Sequence, residues 1–215
     1  MRSGFRWRQG AGFASGHGAQ GKRIAWPRTF AVKRSGPLRS EHLRFIHEEP
    51  RSGVLHCFVL DCSSSMMAGE RLALAKGILL ALFERARAGR CEVALVCFGG
   101  NRADVRFGPA VPRWWSERWI APVGGGGGTP FQSGIDTAGD LLMTAARRKP
   151  VQQRWLWVLS DGRSSDAPSR PVAADQAIFV DFEQEHVSIG RCAALARKWD
   201  AQLFDAREVA GIAAS

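Results

Sequence analysis

Three short segments of this chain carry carboxylate and hydroxyl oxygens at spacings that could gather them around one cation. The five oxygen-bearing side chains are Asp61, Ser63, Ser65, Thr129 and Asp161. Two carboxylates and three hydroxyls form an oxygen-only set that suits Mg²⁺, and water and a partner's carboxylate could supply further oxygen ligands. The set includes neither Cys nor His, which argues against zinc. The sequence therefore predicts a site for Mg²⁺ or another divalent cation.

Each part of this set also has an ordinary structural explanation. Ser63 and Ser65 could cap a helix N-terminus. Thr129 could be a loop hydroxyl, and Asp161 could belong to an Asp-Gly turn. In open α/β sheets, however, ligands bind beyond the carboxyl ends of the strands. Because all three segments occur together and in the right order along the chain, we favour the metal interpretation.

Strands and helices in alternation must position these residues. The predicted strands cover residues 54–60, 91–98, 105–109, 155–162, 177–182 and 202–206, and a possible first edge element lies at 43–46. The predicted helices cover residues 72–87, 114–120, 131–147 and 190–199. Near-continuous apolar strands separated by helices imply a mainly parallel sheet that is covered on both faces. We therefore predict an α/β fold, a doubly wound, Rossmann-like sheet flanked by helices, with one short antiparallel edge strand.

Positive charge is concentrated at the N-terminus. The net charge is +10, and residues 1–40 hold nine Lys and Arg but no Asp or Glu. Residues 1–36 are rich in Gly, Arg and Ser and lack apolar periodicity, which predicts a basic, flexible leader before a domain at 37–210. The leader could meet an acidic partner, a nucleic acid backbone or an anionic membrane, or have no fixed partner. Since no nucleic-acid recognition fold accompanies its aromatic residues, nucleic acid is not the predicted partner.

The cysteines and the apolar runs indicate the cellular compartment of the protein. The five cysteines form no C-x-x-C pair and lie mostly in apolar runs, so we interpret them as reduced thiols. The N-terminus has no apolar stretch of signal-peptide length, and no run of about 18 apolar residues occurs. We predict a cytoplasmic protein without a membrane span.

Two catalytic interpretations fail on their motifs. The glycines at 124–128 are followed by Thr129-Pro130 rather than by G-K-[ST], so no nucleotide site is predicted. Ser63 lacks a G-x-S-x-G elbow and a supported His partner, so a hydrolase is not predicted. We expect no catalytic residue, and no enzymatic activity of the chain on its own.

The pattern D-x-S-x-S, then T, then D resembles the metal-ion-dependent adhesion site of von Willebrand factor A and integrin I domains. In this sequence it reads Asp61-Cys62-Ser63-Ser64-Ser65, Thr129 and Asp161. The resemblance covers roughly residues 52–206 and implies that family's fold and its cation-dependent binding of proteins. Ser64 stands where the family often has Gly, a departure that leaves every expected ligand in place.

A narrower resemblance is to the C-terminal domain of magnesium chelatase D subunits and their cobalt chelatase relatives. It is carried by the segments 43–53, 58–66, 71–77, 93–100 and 125–130. The basic leader also resembles the Arg/Gly-rich stretch that precedes this domain in D subunits. We expect a stand-alone or truncated version, because the ATPase-like module that those subunits usually carry upstream is missing here.

This resemblance implies a D-type accessory subunit of an ATP-dependent metallochelatase, which inserts Mg²⁺ or Co²⁺ into a tetrapyrrole. Its expected partners are an ATPase-type chelatase subunit, whose carboxylate the bound cation would accept, and a large chelatase subunit. The alternative is a cytosolic von Willebrand A adaptor for an unrelated ATPase chaperone that matures a metalloenzyme. Neighbouring genes for the two chelatase partners would favour the first function.

Overall fold

The computed structural model describes residues 23–24, 45–46, 53–67, 70–114, 116–120, 130–183 and 190–213. The chain divides into two compact units, Met1–Ser52 and Gly53–Ser215. In the first unit, strand β1 (Arg23–Ile24) pairs antiparallel with strand β2 (Phe45–Ile46), which falls within the predicted edge element. The predicted division into a flexible leader at 1–36 and a domain at 37–210 stays a prediction.

The second unit is built on a six-stranded sheet. Its strands are β3 (Val54–Asp61), β4 (Glu92–Gly99), β5 (Arg102–Ala110), β6 (Gln153–Ser160), β7 (Gln176–Asp181) and β8 (Gln202–Asp205). They lie in the order β5-β4-β3-β6-β7-β8, and every neighbouring pair is parallel except β4 and β5. The predicted α/β fold is confirmed, and β5 is the antiparallel edge strand, longer than the predicted 105–109.

Helices flank this sheet. Those in the described part of the chain are α1 (Ser64–Met67), α2 (Arg71–Ala88), α3 (Phe131–Arg148), α4 (Arg191–Lys198) and α5 (Ala206–Ala213). The segment predicted as a short helix at 114–120 contains a 3-10 helix at Glu117–Ile120. Helices α1 and α5 are not among the predicted elements. Helix α5 follows β8 directly because the Asp205 carboxylate accepts the backbone N–H of Arg207 at 2.8 Å and so caps its start.

The core lies on both faces of the central strands. Every residue of β3 is buried, which is why its sequence is mainly apolar rather than alternating, with His56 and Asp61 as its polar residues. Helix α3 packs against one face through a cluster that includes Phe131, Ile135, Ala138 and Leu142. These positions recur at helical spacing, as the sequence predicts.

All five cysteines are buried free thiols, as predicted. Burial raises the pKa of the Cys57 thiol, on β3, to about 12, so it is a protonated, apolar group of the core. Among the described helices, none combines the length and apolar content needed to cross a membrane.

Candidate functional site

The candidate site lies at the carboxyl edge of the sheet, where β3 and β6 end side by side. Leu60 of β3 is in register with Leu159 of β6, and Asp61 is in register with Phe98 of β4 on the other side. The residues that follow Leu60 and Leu159 must therefore lie next to one another. This register brings the first and last predicted segments together although they are separated by a hundred positions in the chain.

Asp61 is fully buried, and both of its carboxylate oxygens accept hydrogen bonds. Its Oδ1 accepts the backbone N–H of Ser63 at 2.9 Å, and its Oδ2 accepts the Ser160 hydroxyl at 2.7 Å. One donor comes from the loop after β3 and the other from the end of β6. The carboxylate is thereby fixed between the two strands.

The hydroxyl oxygens of Ser63, in the loop after β3, and of Ser65, in helix α1, lie 3.1 Å apart. Two ligands at a right angle around Mg²⁺, each 2.0–2.1 Å from the ion, would be separated by about 2.9 Å. The spacing of the hydroxyls therefore matches adjacent positions of an octahedral site, and both oxygens are hard donors of the type that Mg²⁺ prefers.

Asp161 is the second buried carboxylate of the site, and it faces two guanidinium groups. Its Oδ1 accepts the backbone N–H of Arg163 at 3.2 Å. Its Oδ2 lies 3.4 Å from Arg71 Nη1 and 3.7 Å from Arg163 Nε. Arg71 Nη1 also donates to the backbone carbonyl of Ser65 at 3.1 Å, so this side chain joins helix α1 to the loop after β6.

Ser160 is a site residue that the sequence prediction missed. Its hydroxyl donates to Asp61 and accepts the backbone N–H of Gly162 at 3.0 Å. It stands directly before Asp161 at the end of a predicted strand, and that position is the signal that could have identified it. Arg71 was missed too, since its contact with Asp161 depends on how distant segments pair.

The loop after β3 also packs closely against β4. The backbone N–H of Cys62 donates to the Phe98 carbonyl at 2.8 Å. A Cβ atom on Gly99 would lie only 2.9 Å from the Cys62 carbonyl oxygen. The absence of a side chain at Gly99 therefore lets this loop sit directly on the end of β4.

Four of the five predicted ligands, Asp61, Ser63, Ser65 and Asp161, thus gather at one edge of the sheet. Thr129 lies outside the described residues. Within the described ranges, no group of three or more His, Cys, Asp and Glu side chains could hold a metal ion. The predicted set is of another kind, because it has two carboxylates and relies on hydroxyls. Its donors fit a hard divalent cation, and binding of the cation stays a prediction.

Burial dominates the electrostatics of Asp61. Loss of solvation raises its pKa, hydrogen bonds from Ser160 and Ser63 oppose that rise, and the nearby charge of Asp161 adds to it. Two apposed carboxylates in a buried site repel each other. Added positive charge would therefore favour the ionised form of Asp61.

In the absence of divalent cations, Asp61→Asn should gain stability relative to wild type as the pH rises. The pKa of Asp61 in the folded protein is raised above its ordinary value of 3.8, so the folded state holds this proton more tightly than the unfolded state does. The stability that this protonated carboxyl gives wild type is fully present below pH 3.8, and it is lost as the pH rises through the raised pKa of the folded protein. Thermal melting of both proteins in chelator, at about pH 4 and about pH 7, measures the difference. A difference that does not change with pH would contradict this account.

Sequence similarity to known proteins covers the part of the chain that carries the site. The profile of von Willebrand factor type A domains matches residues 57–163, which confirms the predicted resemblance. A protein of Mycobacterium tuberculosis is 33% identical over 177 residues, 76% of this chain and 28% of that protein. The magnesium-chelatase 60 kDa subunit of Rhodobacter capsulatus is 35% identical over 127 residues, 57% of this chain and 22% of that subunit. The chain therefore spans about a quarter of the length of these relatives.

Solved structures support the fold. An aerotolerance-related membrane protein from Bacteroides fragilis superposes with a TM-score of 0.51 at 17% identity, over 75% of this chain and 96% of that one. At this identity the likeness is one of architecture alone.

Proposed function

Because this chain carries a von Willebrand factor type A domain similar to magnesium-chelatase subunits, we propose that it is a D-type accessory subunit of an ATP-dependent metallochelatase. It acts by binding proteins and has no catalytic activity of its own. Its partners are an ATPase-type chelatase subunit and a large chelatase subunit, and the assembled complex inserts Mg²⁺ or Co²⁺ into a tetrapyrrole. We place this complex in the cytoplasm, because buried free thiols suit a reducing compartment.

The observation that supports this proposal best is the arrangement of oxygens at the carboxyl edge of the sheet. The Ser63 and Ser65 hydroxyls lie 3.1 Å apart beside the buried carboxylates of Asp61 and Asp161. We propose that these four side chains, together with Thr129, hold Mg²⁺ or another divalent cation. When bound, the cation supplies a hard, positively charged contact for an oxygen anion of the partner.

The charges at this edge favour an acidic residue on the partner. Asp61 and Asp161 contribute two negative charges, and the guanidinium groups of Arg71 and Arg163 at Asp161 contribute two positive charges. A divalent cation would leave these groups with an excess of two positive charges. A carboxylate both lowers that excess and provides an oxygen ligand, whereas a neutral oxygen ligand does not lower it and a cationic side chain raises it.

The test is capture of an ATPase-type magnesium-chelatase subunit by the purified chain, in Mg²⁺ or in chelator. We expect capture by wild type in Mg²⁺ only. Asp61→Asn should abolish it, and Thr129→Ala, which removes one neutral ligand, should weaken it while leaving some metal binding. The matched control is Asp140→Asn, which removes the same charge from an exposed position on α3. Capture that chelator and Asp61→Asn leave unchanged would overturn cation-dependent docking.

A further inference from the structure

We propose that Arg71 is a built-in counter-ion that holds Asp161 in the cation-free protein and competes with the divalent cation for it. This inference rests on the proposed function, since it concerns the same metal site. It assigns Arg71 the role of a positioning residue that sets the affinity of the site. Removing its charge should therefore strengthen metal binding rather than weaken it.

The position of the guanidinium group carries the argument. Arg71 is the first residue of helix α2, and its Nη1 lies 3.4 Å from Asp161 Oδ2 and 3.1 Å from the Ser65 carbonyl. Its two acceptors belong to helix α1, which follows the loop after β3, and to the loop after β6, and both segments carry described candidate ligands. The guanidinium group thus joins the same two segments that a bound cation would join.

The burial of Asp161 explains why a counter-ion is needed. Its side chain is 0% exposed, and an ionised carboxylate without water requires a partner charge nearby. The Arg71 side chain is itself only 13% exposed, so solvent screens the pair weakly. Arg163 lies farther from the same oxygen, at 3.7 Å, and its side chain is 35% exposed. Arg71 is therefore the stronger of the two counter-ions.

A divalent cation at Asp161 cannot share the carboxylate with Arg71 without a cost. The cation places two positive charges beside a guanidinium group that already neutralises the same oxygen, and like charges repel strongly where screening is weak. Metal binding must then weaken or break the Arg71–Asp161 pair. Arg71 thereby stabilises the cation-free protein and lowers its affinity for the cation.

Calorimetric titration of the full chain with Mg²⁺ tests this competition. Arg71→Gln should bind Mg²⁺ about tenfold more tightly than wild type, because the repulsion between the guanidinium group and the cation is removed. Arg71→Lys, which keeps the charge, should stay near wild type. The matched control is Arg87→Gln on the same helix, whose exposed guanidinium pairs with Glu84, and it should leave the affinity unchanged. In chelator, Arg71→Gln should melt below wild type, and saturating Mg²⁺ should remove that deficit.

The outcomes separate this inference from the proposed function. Wild type that binds Mg²⁺ while Arg71→Gln binds it equally or more weakly would overturn the role of Arg71 and leave the metal site intact. Failure of both proteins to bind Mg²⁺ would overturn the proposed function and this inference with it. Binding by Arg71→Gln alone would support the competition. If Arg71→Gln does not fold in chelator, Mg²⁺ should restore its fold, and failure to refold at saturating Mg²⁺ would overturn the inference.

Discussion

Asp61→Asn should lower the affinity for Mg²⁺ by on the order of 100-fold or more, about 2.7 kcal/mol, because it removes a carboxylate charge opposite a divalent cation. The same variant should melt at or above the wild-type temperature in chelator. Asp61 is fully buried, and burial raises its pKa, so its ionised form destabilises the cation-free protein. Lower affinity for Mg²⁺ together with equal or higher stability in chelator is expected if the charge of Asp61 serves cation binding rather than folding.

Asparagine tests this better than alanine because it can still form a hydrogen bond with each of the two partners, although the bond with Ser160 is reversed. Its carbonyl oxygen can still accept the Ser63 N–H, which lies 2.9 Å from Asp61 Oδ1. Its amide group can donate to the Ser160 hydroxyl, which otherwise donates to Asp61 Oδ2 at 2.7 Å. Alanine would leave both groups without this partner and would cost stability for reasons unrelated to charge.

Calorimetric titration with Mg²⁺ and thermal melting in chelator measure the two effects, with Asp140→Asn as the control of equal charge change. Affinity equal to wild type in Asp61→Asn would remove Asp61 from the metal site. A large loss of melting temperature in chelator would instead make its carboxylate a requirement of the fold.

The fold was predictable because the apolar pattern of its central strands can be recognised in the sequence. A strand covered on both faces is mainly apolar, and β4, predicted at 91–98 and found at Glu92–Gly99, is apolar from Val93 onward. Helix α5 was missed because it depends on a local cap, in which Asp205 ends strand β8 and accepts the N–H of Arg207. An Asp at the end of a strand can be followed by a helix that it caps or by a loop, and the sequence does not distinguish the two.

The candidate site was only partly predictable from sequence, and strand register explains the difference. Asp61 and Asp161 could be identified as candidates because each follows an apolar run, and the carboxyl ends of parallel strands meet at one edge. The contacts of Ser160 and Arg71 required knowledge of which strands are neighbours and how they align. Arg71 reaches Asp161 across 90 positions of the chain, a pairing that no local pattern encodes.

Gly99→Ala should lower the free energy of unfolding by about 1–3 kcal/mol, the usual cost of overpacking, and also weaken Mg²⁺ binding. The added Cβ atom would lie 2.9 Å from the Cys62 carbonyl oxygen and 3.1 Å from its carbonyl carbon. Because these are backbone atoms, no flexible side chain can move aside, and the loop that carries Ser63 must shift. We expect a loss of Mg²⁺ affinity of about tenfold, since misplaced ligands bind a cation with strict octahedral geometry poorly.

Gly77→Ala is the matched control for this substitution, because Gly77 lies inside helix α2 and an added Cβ would meet no atom within 4 Å. It should raise the free energy of unfolding by about 0.5–1 kcal/mol, since alanine loses less backbone freedom than glycine in a helix, and leave Mg²⁺ affinity unchanged. Denaturant unfolding and calorimetric titration of both variants give the comparison. If Gly99→Ala loses stability but binds Mg²⁺ like wild type, the loop tolerates displacement, and the close contact with β4 serves the fold alone. If it loses neither, the loop does not depend on the space that Gly99 leaves.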